Sequence, residues 1–191
     1  MSRASTLIRS ARKSHELTQA ELAELTDVHQ GNISDIESGR DLNVSTLEKL
    51  LRGARHQLFA LPIQKADALD AARAIRVHLK TGNTQGALRA LIQLNDNLVS
   101  EHGLLRGVLA ISEPEPTGER VWDAALAGLV AWRLNEDNVP LPQWVEKDRY
   151  FLQNPRSLSV DPADPSPTAS DIPAEFARRG VLVWANTFES V

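Results

Sequence analysis

LTQAELAELTDVHQGNISDIESGR, running from Leu17 to Arg40, contains two short helical patterns that break at Thr26-Asp27. Apolar residues recur at Leu22, Leu25, Val28, Ile33 and Ile36, the spacing by which a helix gathers one face against a core. Thr18, with Glu21 three residues on, makes a capping box for the first helix. That helix is expected to bury Ala20, Leu22 and Ala23, its small alanines letting a neighbour come close. Asp27 falls at a sharp turn, where Asp tolerates a left-handed backbone better than most residues other than glycine, and Val28 plugs the turn. The second pattern runs from about Gln30 to Ser38, buries Ile33 and Ile36, and stops at Gly39, a natural residue just past a helix end.

Outward from this stretch, residues 5–14 place Leu7, Ile8 and Ala11 on one helical face, with Arg9, Arg12 and Lys13 elsewhere. Ser45 with Glu48 suggests a second capping box, opening a helix with Leu47, Leu50 and Leu51 turned inward. The segment is thus expected to hold four or five short helices, two of them joined by a tight turn, which is a helix-turn-helix.

The whole chain sets the frame. It has 191 residues, 42% hydrophobic and 24% charged, a globular composition for one ordinary domain or two small ones. It has no cysteine, which removes disulfides and thiolate metal sites. No apolar run approaches the about 18 residues of a membrane span, and MSRASTLIRSARK has positive charge without the apolar core of a signal peptide. A cytoplasmic, nucleoid-associated protein is expected. The formal net charge of -4 does not announce a nucleic-acid binder, but Arg3, Arg9, Arg12 and Lys13 all precede the first acid, Glu16, so the N-terminal part has a basic leading edge. All ten prolines and all four tryptophans lie beyond residue 61. The expected domains are therefore 1–61, helix-turn-helix, and 62–191, a dimerisation or partner-binding domain.

The N-terminal pattern strongly resembles the Xre/phage-repressor family of DNA-binding domains over about residues 3–60. The residues that carry the resemblance are Gln19, Leu22-Ala23, Val28 in the turn, Ile33, Ile36-Glu37, Gly39, and the Leu-rich last helix in STLEKLLRGARHQL. Asp27 departs from the glycine usual in the family. The resemblance implies that the second helix of the motif lies in the major groove with its N-terminal residues at base edges. Those are Gln30, Gly31 and Asn32, with Ser34 and Asp35 next. Gln and Asn can each pair with adenine through two hydrogen bonds, and Asp can accept from the cytosine amino group. With no Arg in this helix, a guanine-dominated readout is not expected. Gly31 lets the backbone approach closely. Gln19, His29 and Arg40 are expected at phosphates, which position the protein without reading sequence. Arg12 and Glu37 match a family pair, expected as a salt bridge with Arg12 also within reach of phosphate. One short recognition helix reads few base pairs, so a homodimer on an inverted-repeat operator in double-stranded DNA is expected.

The second part is read as mainly α, making the whole a mainly α protein: a five-helix N-terminal domain, then a helical domain with a Pro-rich loop and a short strand-like end. Residues 65–81 and 84–99 carry helical patterns, and Leu104, Leu105, Val108, Leu109 and Ile111 form a third apolar cluster. Gly118 to Leu134 is a helix apolar over a wide arc and so expected at the centre. Residues 155–173, with five prolines, read as a surface loop. Glu175–Arg179 is a short helix stopped by Gly180, before a strand-type run. That run, Val181, Leu182, Val183 and Trp184, together with Trp144, is the candidate partner-binding set. A terminal run of this type either pairs with a sheet inside its own domain or adds a strand to a partner.

No catalytic motif is present: no HExxH, no G-x-S-x-G, no phosphate loop and no G-x-G-x-x-G, and the five histidines are too scattered for a local metal site. Glu113 and Glu115 read as exposed loop charges, Asp123 and Glu119 as a solvated helix start, and Arg178-Arg179 as partners of surface acids. No enzyme, cofactor or metal is expected. The layout WDAALAGLVAW, VPLPQWVE, EFARRGVLVW loosely resembles helical domains that follow this head in actinobacterial regulators, some encoded beside nucleotidyltransferase-like toxins. That resemblance implies a repressor that is the antitoxin of a toxin–antitoxin pair. The alternative is a stand-alone repressor whose C-terminal domain dimerises or senses a small ligand.

Overall fold

The computed structural model describes residues 3–60, 64–158 and 165–189. The chain divides into two compact units, Met1–Pro62 and Ile63–Val191.

The first unit is built from α1 (Arg3–Ser14), α2 (Gln19–Thr26), α3 (Gln30–Glu37) and α4 (Val44–Gly53). Thr18 caps α2 as expected: its hydroxyl accepts from the Glu21 N–H, and the Glu21 carboxylate accepts from the Thr18 N–H at 2.7 Å. Asp27 closes α2 in the left-handed region, at φ 48° and ψ 40°. Gly39, at φ 119°, closes α3. There the Gly39 N–H reaches the Ile36 carbonyl and the Arg40 N–H the Asp35 carbonyl, the paired bonds of a Schellman end. Ile8, Ala11, Leu22, Ile33, Ile36, Leu50, Leu51 and Ala54 form the core.

Several details differ from expectation. The described residues hold four helices in this unit rather than five. Arg55, at φ 56°, turns the chain out of α4 while the His56 N–H bonds back to the Leu51 carbonyl, and Gln57–Ala60 carry no helix. Asn43, not Ser45, caps α4: its side chain accepts from the Thr46 N–H at 2.8 Å, and Ser45 instead donates to that same Asn43 oxygen. Leu7, Ala20 and Leu25 are exposed. A short amphipathic helix points only a narrow arc at the core, and Ile8 and Leu22 occupy it.

The second unit pairs α5 (Ala68–Lys80) with α6 (Thr84–Val99), then places α7 (Gly103–Ala110) and the long α8 (Arg120–Glu136). Trp122 to Ala131 of α8 are buried on all sides, which is why the pattern looked apolar over so wide an arc. Around α8 pack α5, α6, α7, two 3-10 turns (Gln143–Glu146 and Asp148–Tyr150), α9 (Ala174–Arg178) and the strand β2 (Val181–Leu182). β2 pairs in parallel with β1 (Arg156–Ser157), Arg156 opposite Val181 and Ser157 opposite Leu182. Trp132, Phe176 and Phe188 meet as an aromatic cluster against α8.

This packing places Trp144, Val181 and Val183 of the candidate partner-binding set in the core of the domain. Trp144 is 3% exposed, and its ring N–H donates to the Ala110 carbonyl at 2.9 Å. Val181 and Val183 are buried, and Leu182 and Trp184 are half-buried. The strand-type run finds a hydrogen-bond partner in β1 of its own domain. The third apolar cluster is also redistributed: Leu109 is core, but Leu104 and Ile111 are 71% and 65% exposed.

Charged groups that enter this core are paired, although Arg179 Nε and Arg149 Nε are buried without a partner. Asp123, expected at a solvated helix start, is buried and accepts from the Thr117 N–H at 2.7 Å. Arg179 is fully buried, held by Glu175 at 2.7 Å and by the Val145 carbonyl at 3.1 Å, while Arg178 reaches Glu146 at 2.6 Å. Glu113 and Glu115 are exposed loop charges as expected, and on the surface they pair with Lys147 and, at 2.9 Å, with Arg76.

Candidate nucleic-acid interface

The local fold of α3 decides what it presents. Ile33, Ile36 and Glu37 are buried, and residues three or four apart lie on the same side of a helix. Gly31 and Asp35 lie on the side away from these, Gln30 and Asn32 flank the buried side at the start of the helix, and all four are exposed, with Ser34 half-buried. The expected base-facing residues form one exposed surface at the start of the helix, each with a side chain free of the core.

His29 sits just before α3 and acts as its cap, with Nδ1 accepting from the Gly31 N–H at 3.2 Å. Gly31 makes room for that ring: a methyl group there would press on His29 Nδ1 at 3.3 Å. The sequence placed His29 among phosphate contacts and missed its capping role.

Below the exposed surface lies a charged brace. Arg12 of α1 binds Glu37 of α3 through two bonds, Nε to Oε1 at 2.6 Å and Nη2 to Oε2 at 2.8 Å, and its Nη1 donates to the Leu17 carbonyl at 2.7 Å. Each nitrogen of Arg12 has a protein partner, as expected of a structural salt bridge, and one N–H on each Nη is left over. Gln19 donates to Glu37 Oε2 at 3.0 Å, and Arg9 donates to the Glu37 carbonyl at 2.8 Å. Burial works to raise the Glu37 carboxyl, but the hydrogen bonds from Arg12 and Gln19, with the charges of Arg12 and Arg9, hold it below its ordinary value. The Arg12 guanidinium is raised by its hydrogen bond to Glu37, against the cost of burial. Gln19, expected at a phosphate, and Arg9, part of the basic leading edge, thus also belong to the joint between α1, α2 and α3. The signal for Arg9 was its position three residues before Arg12, one turn along the same helix.

Arg40 takes a place that its position outside the helix did not suggest. The Schellman turn at Gly39 folds the chain back, and Arg40 Nη1 lies 3.3 Å from Asn32 Oδ1 and 3.5 Å from Asp35 Oδ2. The guanidinium therefore sits over the exposed side of α3.

In the second unit, no surface gathers the residues expected to bind a partner. The exposed apolar ground there is a concavity of about 540 Å³ between α7 and the segment Asp137–Pro142, lined by Leu104, Gly107, Val108, Ile111, Val139 and Leu141. Asp137 at its edge is held below its ordinary value by the Gly103 N–H, with Arg106 and His102 adding to the effect. A second, polar cleft of about 400 Å³ lies against the start of α8, lined by Glu119, Arg120, Gln153, Asn154 and Arg156 among others. No helix among the described residues is long and apolar enough to cross a membrane.

Comparison with known proteins gives one match: residues 8–53 fit a family model described as helix-turn-helix. No curated protein and no solved structure matches the chain.

Proposed function

Proceeding from residues 8–53 as a helix-turn-helix of the Xre/phage-repressor type, which makes the chain a DNA-binding regulator of transcription, we propose that it represses its own operon as the antitoxin of a toxin–antitoxin pair. Two copies sit on an inverted repeat, because one eight-residue recognition helix reaches few base pairs and a two-fold axis doubles the contact. Gln30 and Asn32 each address an adenine, and His29 and Gln19 lie near the sugar-phosphate backbone. The observation that carries this reading is that α3 buries Ile33 and Ile36 and leaves Gln30 and Asn32 exposed at its start.

For the C-terminal unit, the reading is a binding module and not an enzyme. The exposed α7 surface supports a protein partner. Leu104 and Ile111 stand beside the Val139–Leu141 wall, and an apolar patch kept in water by a folded domain is commonly a contact surface. In this reading the partner is the toxin, of the nucleotidyltransferase-like kind, and the complex is cytoplasmic and nucleoid-associated. The test is to express the protein encoded by the neighbouring gene with and without this chain. Growth arrest relieved by the chain, and lost again with Leu104→Glu and Ile111→Glu, is expected. A neighbour harmless on its own would contradict the antitoxin role.

A second reading, a stand-alone repressor with a ligand-sensing domain, draws on the polar cleft at Arg120 and Arg156, which would suit a small anion. It predicts DNA release on adding a metabolite extract, an effect that Arg156→Gln would abolish. Release unchanged in that variant would count against it.

A further inference from the structure

We infer that Arg40 reads a guanine in the operator and is not a phosphate contact. The inference rests on the DNA-binding reading above and adds a base preference to it. Three observations carry it.

The first is position. Asn32 and Asp35 are one turn apart on α3 and both exposed, Asp35 on the side away from Ile33 and Asn32 beside Ile36 at the flank. The Arg40 Nη1 lies within 3.3 Å of one and 3.5 Å of the other. Its guanidinium therefore shares the exposed ground of two α3 side chains and can reach the base edges that they reach.

The second is charge. Asp35 stands beside the guanidinium, and a phosphate brought to the same place would meet that carboxylate. A guanine edge is neutral and offers two acceptors, N7 and O6, so it accommodates the pair.

The third is donor supply. Arg carries five N–H donors in a planar fork. Nη1 engages Asn32 and Asp35, and among the described residues Nε and Nη2 have no partner. The Nε–Nη2 edge is the two-donor fork that guanine accepts. The same contact to Asn32 Oδ1 fixes which way the Asn32 amide faces, with one lone pair of that oxygen and the amide N–H groups left for adenine. The side chain reaches this place because Gly39 turns the chain back at φ 119°, so a residue outside α3 joins its surface.

The experiment uses the full chain and a duplex chosen by selection from random sequences, titrated over a range of salt concentrations. Each guanine in the half-site is replaced in turn, by adenine and by 7-deazaguanine, which lacks N7. Wild-type protein is expected to lose about tenfold to a hundredfold in affinity at one guanine adjacent to an essential adenine. Arg40→Ala is expected to lose the same factor on the native duplex, to be indifferent to replacement of that guanine, and to keep the wild-type salt slope. Arg40→Ala binding all duplexes more weakly by one factor, with the slope reduced by about one, would mark a phosphate contact and overturn the inference. An Arg40→Ala variant as discriminating as wild type would also overturn it. In both cases wild-type preference for the selected duplex leaves the DNA-binding reading standing. Wild-type protein with no preference among duplexes would remove that reading and this inference together.

Discussion

Arg12 and Glu37 meet through two parallel hydrogen bonds of 2.6 and 2.8 Å, joining the first helix of the N-terminal unit to the end of its recognition helix. The Glu37 side chain is 1% exposed and that of Arg12 11%. The pair therefore fixes the angle at which α3 leaves the core, and with it the direction in which Gln30 and Asn32 point.

Replacing Glu37 by Ala leaves the Arg12 guanidinium buried without its counter-charge. Breaking one side of such a pair costs about 3–5 kcal/mol, reduced here because Arg12 keeps the Leu17 carbonyl. Chemical denaturation is expected to show a loss near the lower figure. The pair also carries a pH signature. The folded Glu37 carboxyl lies below its ordinary value of 4.5, so its contribution is fully present above that value and is lost as pH falls through the lower folded one. Wild-type stability should drop more steeply than that of Glu37→Gln on acidification. Parallel acid curves would show that Glu37 does not titrate as described.

Gly53 is where α4 passes closest to α2. A methyl group there would collide with Thr26 Cγ2 and crowd Leu22 Cδ1 at 3.2 Å. Thr26 cannot swing aside freely, because its hydroxyl donates to the Leu22 carbonyl at 2.6 Å. Gly53→Ala is expected to cost about 1–3 kcal/mol by overpacking. Adding Thr26→Ser removes the offending methyl, keeps the hydroxyl, and should recover most of the loss in thermal melting. Additive losses in the double variant would place the strain elsewhere.

The chain has one tyrosine, so its titration reports on the second unit alone. Burial raises Tyr150 from 10.0 to about 12, against the opposing hydrogen bond from Arg149. Neutral Tyr150 thus contributes stability that is fully present below pH 10.0 and is lost as pH rises through about 12. Phenolate absorbance of the folded protein should appear near pH 12, and near 10 in denaturant. Coincident curves would contradict the buried placement.

Much of the first unit was legible in the sequence because its signals are local. Thr18 with Glu21, Asp27 at the turn, Gly39 at the helix end and the Ile33/Ile36 spacing each concern residues within a turn or two of one another. The Arg12–Glu37 pair was legible only through family resemblance, since its partners are 25 positions apart. What stayed hidden depends on side chains meeting across the fold: Gln19 and Arg9 on Glu37, Arg40 over Asn32, Asn43 displacing Ser45 as the cap. In the second unit, periodicity located the helices and the central α8. It could not tell a strand that pairs within its own domain from one offered to a partner, because both require the same apolar run at Val181–Val183. Nor could it distinguish Leu109, which packs, from Leu104 and Ile111, which do not.

The central claim is that Gln30 and Asn32 read bases. It is tested most directly by titrating the full chain and its Gln30→Ala and Asn32→Ala variants against a selected inverted-repeat duplex and a scrambled one, at fixed salt. Both side chains are exposed, so the variants should fold as the wild type does. Each is expected to lose about 1–3 kcal/mol of binding to the selected duplex and to bind the scrambled one as before. Wild-type affinity for the selected duplex in both variants would contradict the account.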